Sequence, residues 1–403
     1  MQTQRPAAIR FIFITLLIDV MGLGIIIPVM PKLIESLMGG TLSEAARYAG
    51  WLTFSYAIMQ FICAPIIGNL SDQYGRRPIL LLSLLGFGID YIFLALAPSL
   101  AWLFVGRMIA GFTGASITTA SAYIADISSP EKRAQNFGLI GAAFGLGFIL
   151  GPLLGGLLAG WGVRMPFFAS AALCLMNALY GYFILPESLA VENRRKFSWK
   201  RANPLGSFFQ LTKYPSISAL IASLILIYIA VHAVQSNWNF YTMYKFGWSE
   251  QLIGISLAFV GLLVGGVQGG LIRIILPKIG HEKGVWIGLL FYSIGFMGFA
   301  WATESWMMFA FLLPYAMGGI AGPSIQGIIS NQVPPSEQGA LQGGLTSLMS
   351  ATAIIGPLLM AQLFAYFTSP AAPFQFPGAP MLLGGILTLI SAGLAIRGFK
   401  RKT

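Results

Sequence analysis

Residues 136–160 read NFGLIGAAFGLGFILGPLLGGLLAG, and not one of them carries a charge. As a helix this run rises about 37 Å, enough to cross a bilayer core about 30 Å thick. Comparable runs recur along the chain, at about 10–32, 48–71, 78–98, 101–126, 136–160, 165–185, 216–244, 251–276, 284–302, 305–331, 339–367 and 379–397. They predict twelve membrane-spanning helices. A transmembrane barrel would instead show alternating segments of about 10 residues. Composition agrees: hydrophobic residues make up 56 % and charged residues 9 % of the 403, against about 25 % charged in a soluble domain. So few charges cannot cover this chain in water. The first span follows Arg5 and Arg10, exceeds a signal-peptide core and lacks a small-residue cleavage site, so it is expected to stay in the mature protein.

The net charge of +11 is topology rather than a nucleic-acid footprint. With alternate loops assigned inside, 19 Lys and Arg fall inside, 4 fall outside (Lys32, Arg47, Arg164 and Lys245), and Arg107 lies within a span. The positive-inside rule then places both termini in the cytoplasm. Cys63 and Cys174 lie within apolar spans and read as packing residues. The histidines, His232 and His281, have no metal-ligand spacing around them. Neither a metal nor a cofactor is expected.

The longest cytoplasmic connection, about 186–215, separates six spans from six. The expected organisation is a six-helix bundle over 1–185, a linker over 186–215 and a second bundle over 216–403. Gly151-Pro152-Leu153-Leu154 recurs as Gly356-Pro357-Leu358-Leu359, an offset of 205 residues. Ser129-Pro130-Glu131 is echoed by Pro335-Ser336-Glu337, and Gly111 and Gly114 by Gly319 and Gly322. Parallel repeats of this kind imply a pseudo-twofold axis along the membrane normal and a substrate site near the midplane.

Between the second and third spans the chain reads Gly68-Asn69-Leu70-Ser71-Asp72-Gln73-Tyr74-Gly75-Arg76-Arg77-Pro78. Gly68 would let two helices approach closely, Gly75 would permit a tight turn, and Asp72 could face the positive N-terminal end of an incoming helix such as span 11. Span 5 carries Gly141, Gly145, Gly147, Gly151-Pro152 and Gly155-Gly156. Glycines four apart give a smooth packing face, and the proline bends the helix.

With these motifs in order, the chain resembles the major facilitator superfamily, an all-α membrane fold of two pseudo-symmetric six-helix bundles. More closely it resembles the tetracycline–proton antiporters and their drug-exporting relatives, above all over Leu17 to Pro31, Ala64 to Leu84, Phe137 to Gly156 and Glu337 to Leu359. The resemblance implies that Gly68, Asp72, Gly75, Arg76 and Arg77 lock the two halves on the cytoplasmic side, with Asp126 as partner of Arg76. It also implies that Gly147, Gly151 and Pro152 belong to an antiporter motif.

Three ionisable residues lie well inside spans: Asp19, Asp90 and Arg107. At 1.5 Å per residue they lie about 14, 18 and 20 Å from the inner face, so Asp90 and Arg107 share a level. A charge there costs several kcal/mol unless paired, which makes these residues candidates for proton coupling. The family pattern of a carboxylate on span 1 and an arginine on span 4 matches Asp19 and Arg107.

His232, Gln235 and Asn239 form one stripe on span 7, flanked by Trp238 and Tyr241. With Gln60, Gln326, Asn331 and Gln342 they are candidate contacts for an amphipathic, ring-bearing ligand. One departure stands out. The resembled exporters carry a histidine in span 8 and an acid in span 9, where this chain has Val264 and Ser293.

A phosphate-binding Gly-x-x-x-x-Gly-Lys-Ser/Thr loop is absent, so energy is expected to come from an ion gradient. No nucleophile–base pair points to an enzyme. The expected protein is a monomeric proton-coupled exporter in the bacterial cytoplasmic membrane, with protons, a small amphipathic substrate and lipid as partners. A gradient-driven importer or facilitator of an organic solute is the alternative.

Overall fold

The structure, a computed structural model, describes residues 5–114, 116–128, 133–199, 211, 217–334 and 337–400. The expectations for Ser129-Pro130-Glu131, Pro335-Ser336 and most of the linker beyond 199 lie outside these residues. Every long element is helical: α1 (Arg5–Ile26), α2 (Met30–Met38), α3 (Leu42–Tyr74), α4 (Arg76–Ala95), α5 (Leu100–Thr113), α6 (Ser116–Ile127), α7 (Arg133–Leu158), α8 (Met165–Ile184), α9 (Ser218–Phe246), α10 (Glu250–Gly266), α11 (Ile272–Trp301), α12 (Ser305–Gly318), α13 (Ala321–Ser330), α14 (Gln338–Thr368) and α15 (Ala379–Lys400). In hydrocarbon a chain must satisfy its own backbone hydrogen bonds, and a helix does so within one segment.

Among the described residues, eleven stretches are long and apolar enough to cross a membrane. The sequence predicted twelve. The difference lies in Glu250–Trp301, 52 residues that stay helical through a π turn at Val267–Leu271. A straight helix of that length would run about 78 Å, more than twice a bilayer core. Gly280 breaks it, with φ 79° and ψ 163°.

The breaks follow the internal repeat. Gly75, at the α3–α4 turn, has φ 107° and ψ 158°; Gly280, 205 residues later, repeats that conformation, which favours glycine. The stretch α5–α6 breaks at Gly114, and α12–α13 breaks at Gly319, again 205 residues on. This corrects the pairing expected from sequence: Gly114 corresponds to Gly319, not to Gly322. The Gly-x-x-Gly spacing occurs in both halves, so a slip of three residues left the local match intact.

The chain forms two compact units: Met1–Gly39, Ser55–Asn203 and Ser249–Gly261 in the first; Gly40–Phe54, Pro204–Trp248 and Leu262–Thr403 in the second. Thus α3 and α10 each contribute to both. In the first unit α1 packs against α7 and α8, and α4 against α8, α5 and α6. The α1–α7 contact is close because α7 offers glycine. A Cβ on Gly151 would lie 2.8 Å from the Gly24 Cα and the Met21 carbonyl oxygen, and one on Gly147 would lie 2.7 Å from Val20 Cβ. On the far side, a Cβ on Gly156 would lie 2.6 Å from the Glu250 carbonyl oxygen, and Lys32 closes over this seam with an ion pair to Glu250 at 2.6 Å. Among the described residues nothing lies within 4 Å of a Cβ built on Gly141 or Gly145, so the smooth face expected along all of span 5 serves packing only over the C-terminal half of α7.

In the second unit α9 packs against α15 and α14, and α11 against α12, α13 and α15. The first turns of α3 join α14, where Ser43 Oγ donates to the Thr368 carbonyl at 3.3 Å and a Cβ on Gly50 would lie 2.7 Å from Ala361 Cβ.

Gly151→Leu should separate α1 from α7 and destabilise the protein by about 1–3 kcal/mol, the usual range for overpacking. Gly141→Leu, in open space, should leave stability unchanged. Thermal unfolding in detergent checks both; equal melting temperatures for the two variants would show that the α1–α7 contact is not close-packed.

Candidate functional site

Two carboxylates and one guanidinium converge inside the first unit. Asp90 on α4 is fully buried, and its Oδ2 lies 3.6 Å from a terminal nitrogen of Arg107 on α5. That distance is an ion pair rather than a hydrogen bond. Gly106 makes the approach possible: a Cβ there would lie 3.0 Å from Asp90 Oδ1 and 2.5 Å from Leu94 Cδ2. Neither carboxylate oxygen of Asp90 has a hydrogen-bond partner among the described residues.

The Arg107 guanidinium lies 5.4 Å from the Tyr56 ring centroid. Gln60, one turn further along α3, donates to the Tyr56 hydroxyl and to the Gly114 carbonyl, each at 3.2 Å. Asp19 on α1 is buried, and Tyr56 lies within electrostatic range of Arg107, Asp19 and Asp90 together. Asp19, Asp90, Arg107 and Gln60 therefore belong to one cluster. Tyr56 and Tyr91 belong to it too and were missed from sequence, because an aromatic in an apolar span gives no signal of its own.

At the α3–α4 turn a second charge cluster forms. The Arg76 guanidinium bonds Asp72 Oδ1 at 2.6 Å, Asp126 Oδ2 at 3.2 Å and Ser71 Oγ at 2.6 Å. Arg77 donates to the Tyr182 carbonyl at 2.6 Å. Gly68 meets nothing within 4 Å of a built Cβ, so close helix approach is not what it serves here; the face of α3 it occupies is open.

Glu187 is the residue that sequence reasoning left in the linker without a role. Its carboxylate accepts the backbone N–H of Arg76 at 2.9 Å, Arg77 at 3.3 Å, Ser188 at 2.9 Å and Leu189 at 3.0 Å. It thereby caps the orphan amides at the start of α4. The segment beyond follows the turn: Ser188 Oγ donates to Asp126 at 3.0 Å, Arg195 N to the Asp72 carbonyl at 3.0 Å, and Phe197 N to Gln73 Oε1 at 2.8 Å.

In the second unit the α9 stripe divides. His232 packs against Gly356 of α14, with its Cγ 2.8 Å from where a Cβ would sit. Gln235 is exposed, and so are Asn331 and Gln342, while Asn239 is buried. Trp238 and Tyr241 are core residues. Trp238 packs edge-on against Phe299 at 5.3 Å, and the Tyr241 hydroxyl donates to the Phe299 carbonyl at 2.5 Å. On a helix buried on several sides, aromatics beside a polar stripe also pack against neighbouring helices, as both of these do. Gln326 Nε2 donates to the Tyr228 hydroxyl at 2.9 Å. Ser293 is buried and bonds Thr388 at 2.9 Å. Among the described residues, no group of three or more His, Cys, Asp or Glu side chains is placed to hold a metal ion.

The Major Facilitator Superfamily model matches residues 12–302 and 274–397. The class C tetracycline resistance protein of Escherichia coli is 37 % identical over 384 residues, 95 % of each chain. Multidrug resistance protein 2 of Bacillus subtilis is 29 % identical, over 94 % of this chain and 95 % of that one. A human organic anion transporter superimposes with a TM-score of 0.70 at 24 % identity, covering 97 % of this chain and 99 % of the other. A bacterial homologue of the human lysosomal transporter Spinster, inward-facing and occupied, gives a TM-score of 0.78 at 16 % identity, covering 98 % and 97 %. At these identities the two structures speak to the fold alone.

Glu187→Ala should uncap α4. The Arg76 and Arg77 amides should then exchange their hydrogens about 2- to 30-fold faster, as loss of about 0.5–2 kcal/mol of capping gives. Glu192→Ala, at an exposed position, should not change them. Hydrogen-exchange mass spectrometry of the 72–80 segment reads the difference; unchanged exchange in the Glu187 variant would refute the cap.

Proposed function

The chain belongs to the Major Facilitator Superfamily, and on that footing we propose that it is a proton-coupled antiporter that exports amphipathic, ring-bearing compounds. Its kinship with the bacterial tetracycline-resistance proteins makes it a secondary active transporter of the bacterial inner membrane, a transport protein and not an enzyme. Proton coupling, substrate class and the roles of single residues are our reading.

In that reading the chain crosses the membrane twelve times, with α10 and α11 as separate spans divided at Gly280. The spans form two pseudo-symmetric bundles, 1–185 and 216–403, joined by the 186–215 linker. Both termini lie in the cytoplasm, supported by the 19-to-4 distribution of basic residues. The protein acts as a monomer and needs no cofactor.

The observation that carries the proposal is the buried Asp90–Arg107 pair, 3.6 Å apart with no hydrogen bond to either carboxylate oxygen among the described residues. A carboxyl in such a place responds to two opposed influences. Removal from water favours the neutral acid, and a guanidinium favours the anion, while arginine itself keeps its charge. A movement of Arg107 relative to Asp90 or Asp19 would therefore exchange a proton for an ion pair, the step a proton-driven carrier requires.

For the substrate we propose the accessible polar groups Gln60, His232, Gln235, Gln326, Asn331 and Gln342, with Asn239, Trp238 and Tyr241 behind them. Asp72, Gly75, Arg76, Arg77 and Asp126 form the cytoplasmic gate together with Gly68, and Gly147, Gly151 and Pro152 the flexible seam. The substrate is an amphipathic drug, tetracycline-like or one of several; Val264 and Ser293 stand where the resembled exporters place a histidine and an acid, which weighs against a metal–tetracycline chelate.

In proteoliposomes, Asp19→Asn and Asp90→Asn, singly and together, should preserve substrate exchange but abolish accumulation driven by a proton gradient. A double variant that still concentrates substrate with normal proton flux would remove both residues from the coupling step. Asp72→Asn tests the gate. It should lower turnover about tenfold, within the range of conformational coupling energies, and leave substrate affinity unchanged. Lost affinity with intact turnover would place Asp72 in the binding site instead.

A further inference from the structure

The Arg107 guanidinium has neighbours of two kinds. Asp90 Oδ2 lies 3.6 Å from one terminal nitrogen, and the Tyr56 ring centroid lies 5.4 Å from the guanidinium carbon. The same nitrogen and Nε have no hydrogen-bond partner among the described residues. Charge attraction on one side and the negative face of an aromatic ring on the other thus hold the group.

The ring is itself firmly placed. Gln60 donates to the Tyr56 hydroxyl and to the Gly114 carbonyl at the α5–α6 break. Below it the helices touch through glycine: a Cβ on Gly111 would lie 2.5 Å from the Tyr56 carbonyl oxygen and 2.7 Å from Met59 Cβ. Tyr56 also stands at a boundary. Residues 42–54 of α3 belong to the second compact unit, and α3 from Ser55 onward belongs to the first. A displacement of the outer end of α3 would act on the ring within a turn of helix.

We propose that Tyr56 is a positioning residue that sets the Arg107–Asp90 interaction through its ring face, and with it the pH dependence of transport. The link to transport rests on reading Asp90 and Arg107 as the coupling pair. The titratable and charged groups that share this site are Asp90 and Tyr91 from α4, Asp19 from α1, Cys174 from α8 and Arg107 from α5. None of these groups is itself altered by a substitution at residue 56.

The test uses the full-length protein in lipid and needs no substrate. Difference infrared spectroscopy follows the protonated carboxyl band that Asp90→Asn removes, as a function of pH. Residue 56 is varied from Tyr to Phe, to mono- and trifluorinated Phe, and to Leu. Fluorination empties the ring face of negative charge at nearly constant size. The midpoint should stay in place for Tyr56→Phe, move stepwise with fluorination, and move by about half a unit or more for Tyr56→Leu, as loss of a cation–π contact gives. Absence of a titrating Asp90 band, or equal midpoints for the Phe, trifluoro-Phe and Leu variants, overturns the proposal. A stepwise shift in a protein whose Asp90→Asn variant still drives accumulation upholds the role of Tyr56 at the pair and overturns its link to transport, which is the failure of the coupling reading.

Discussion

In hydrocarbon there is no outside partner for a backbone amide, and that constraint governs this molecule. It explains why every long element is a helix, and it also decides where helices can stop. At three of the interruptions, side chains or tighter turns take over the broken bonds. At the α5–α6 break the Gly114 carbonyl accepts Gln60 Nε2. At the corresponding break the Gly319 amide turns back to the Ala316 carbonyl. The α3–α4 turn at Gly75 leaves the first amides of α4 without intrahelical partners, and Glu187 arrives from 110 residues away to accept two of them.

The same rule separates what could be read from sequence from what could not. Span positions follow from apolar runs about the length of a bilayer crossing, and nearly all appear as helices. Asp19, Asp90 and Arg107 were conspicuous because an intramembrane charge is costly wherever it lies, and counting residues along two helices sufficed to put Asp90 and Arg107 at one depth. Partnerships that depend on which face a helix turns to its neighbour were not legible. Tyr56 is one tyrosine among fourteen until α3 is seen against α5. That Trp238 and Tyr241 pack into the aromatic core around Phe299 could not be seen from the polar stripe beside them. Gly68 has the spacing of a packing glycine, yet among the described residues nothing lies within 4 Å of where its Cβ would sit. Glu187 was hidden by its place in a charged linker, where a carboxylate is ordinarily a solvated one.

The repeat at an offset of 205 residues gives the comparison that explains why charge is confined to one half. The positions matching Asp19, Asp90 and Arg107 are Leu224, Gly295 and Leu312. Leu224 and Leu312 are fully buried, and a Cβ on Gly295 would lie 2.8 Å from the backbone of Tyr315. Where one half buries an ion pair, the other packs helix backbone against helix backbone. At the turns Asp72, Arg76 and Asp126 are matched by Pro277, His281 and Asn331, again with the backbone conformation of the glycine retained and the fixed charges gone. The backbone geometry is therefore what the repeat preserves, and side-chain chemistry is what it varies. A buried ion pair is worth little to stability and is often outdone by apolar packing of the same volume. Leu224, Gly295 and Leu312 are that packing solution on a matching backbone, so the fold does not require Asp19, Asp90 and Arg107. Their presence in the first half calls for a reason other than stability, and the proposed exchange of a proton against the Arg107 guanidinium would supply one.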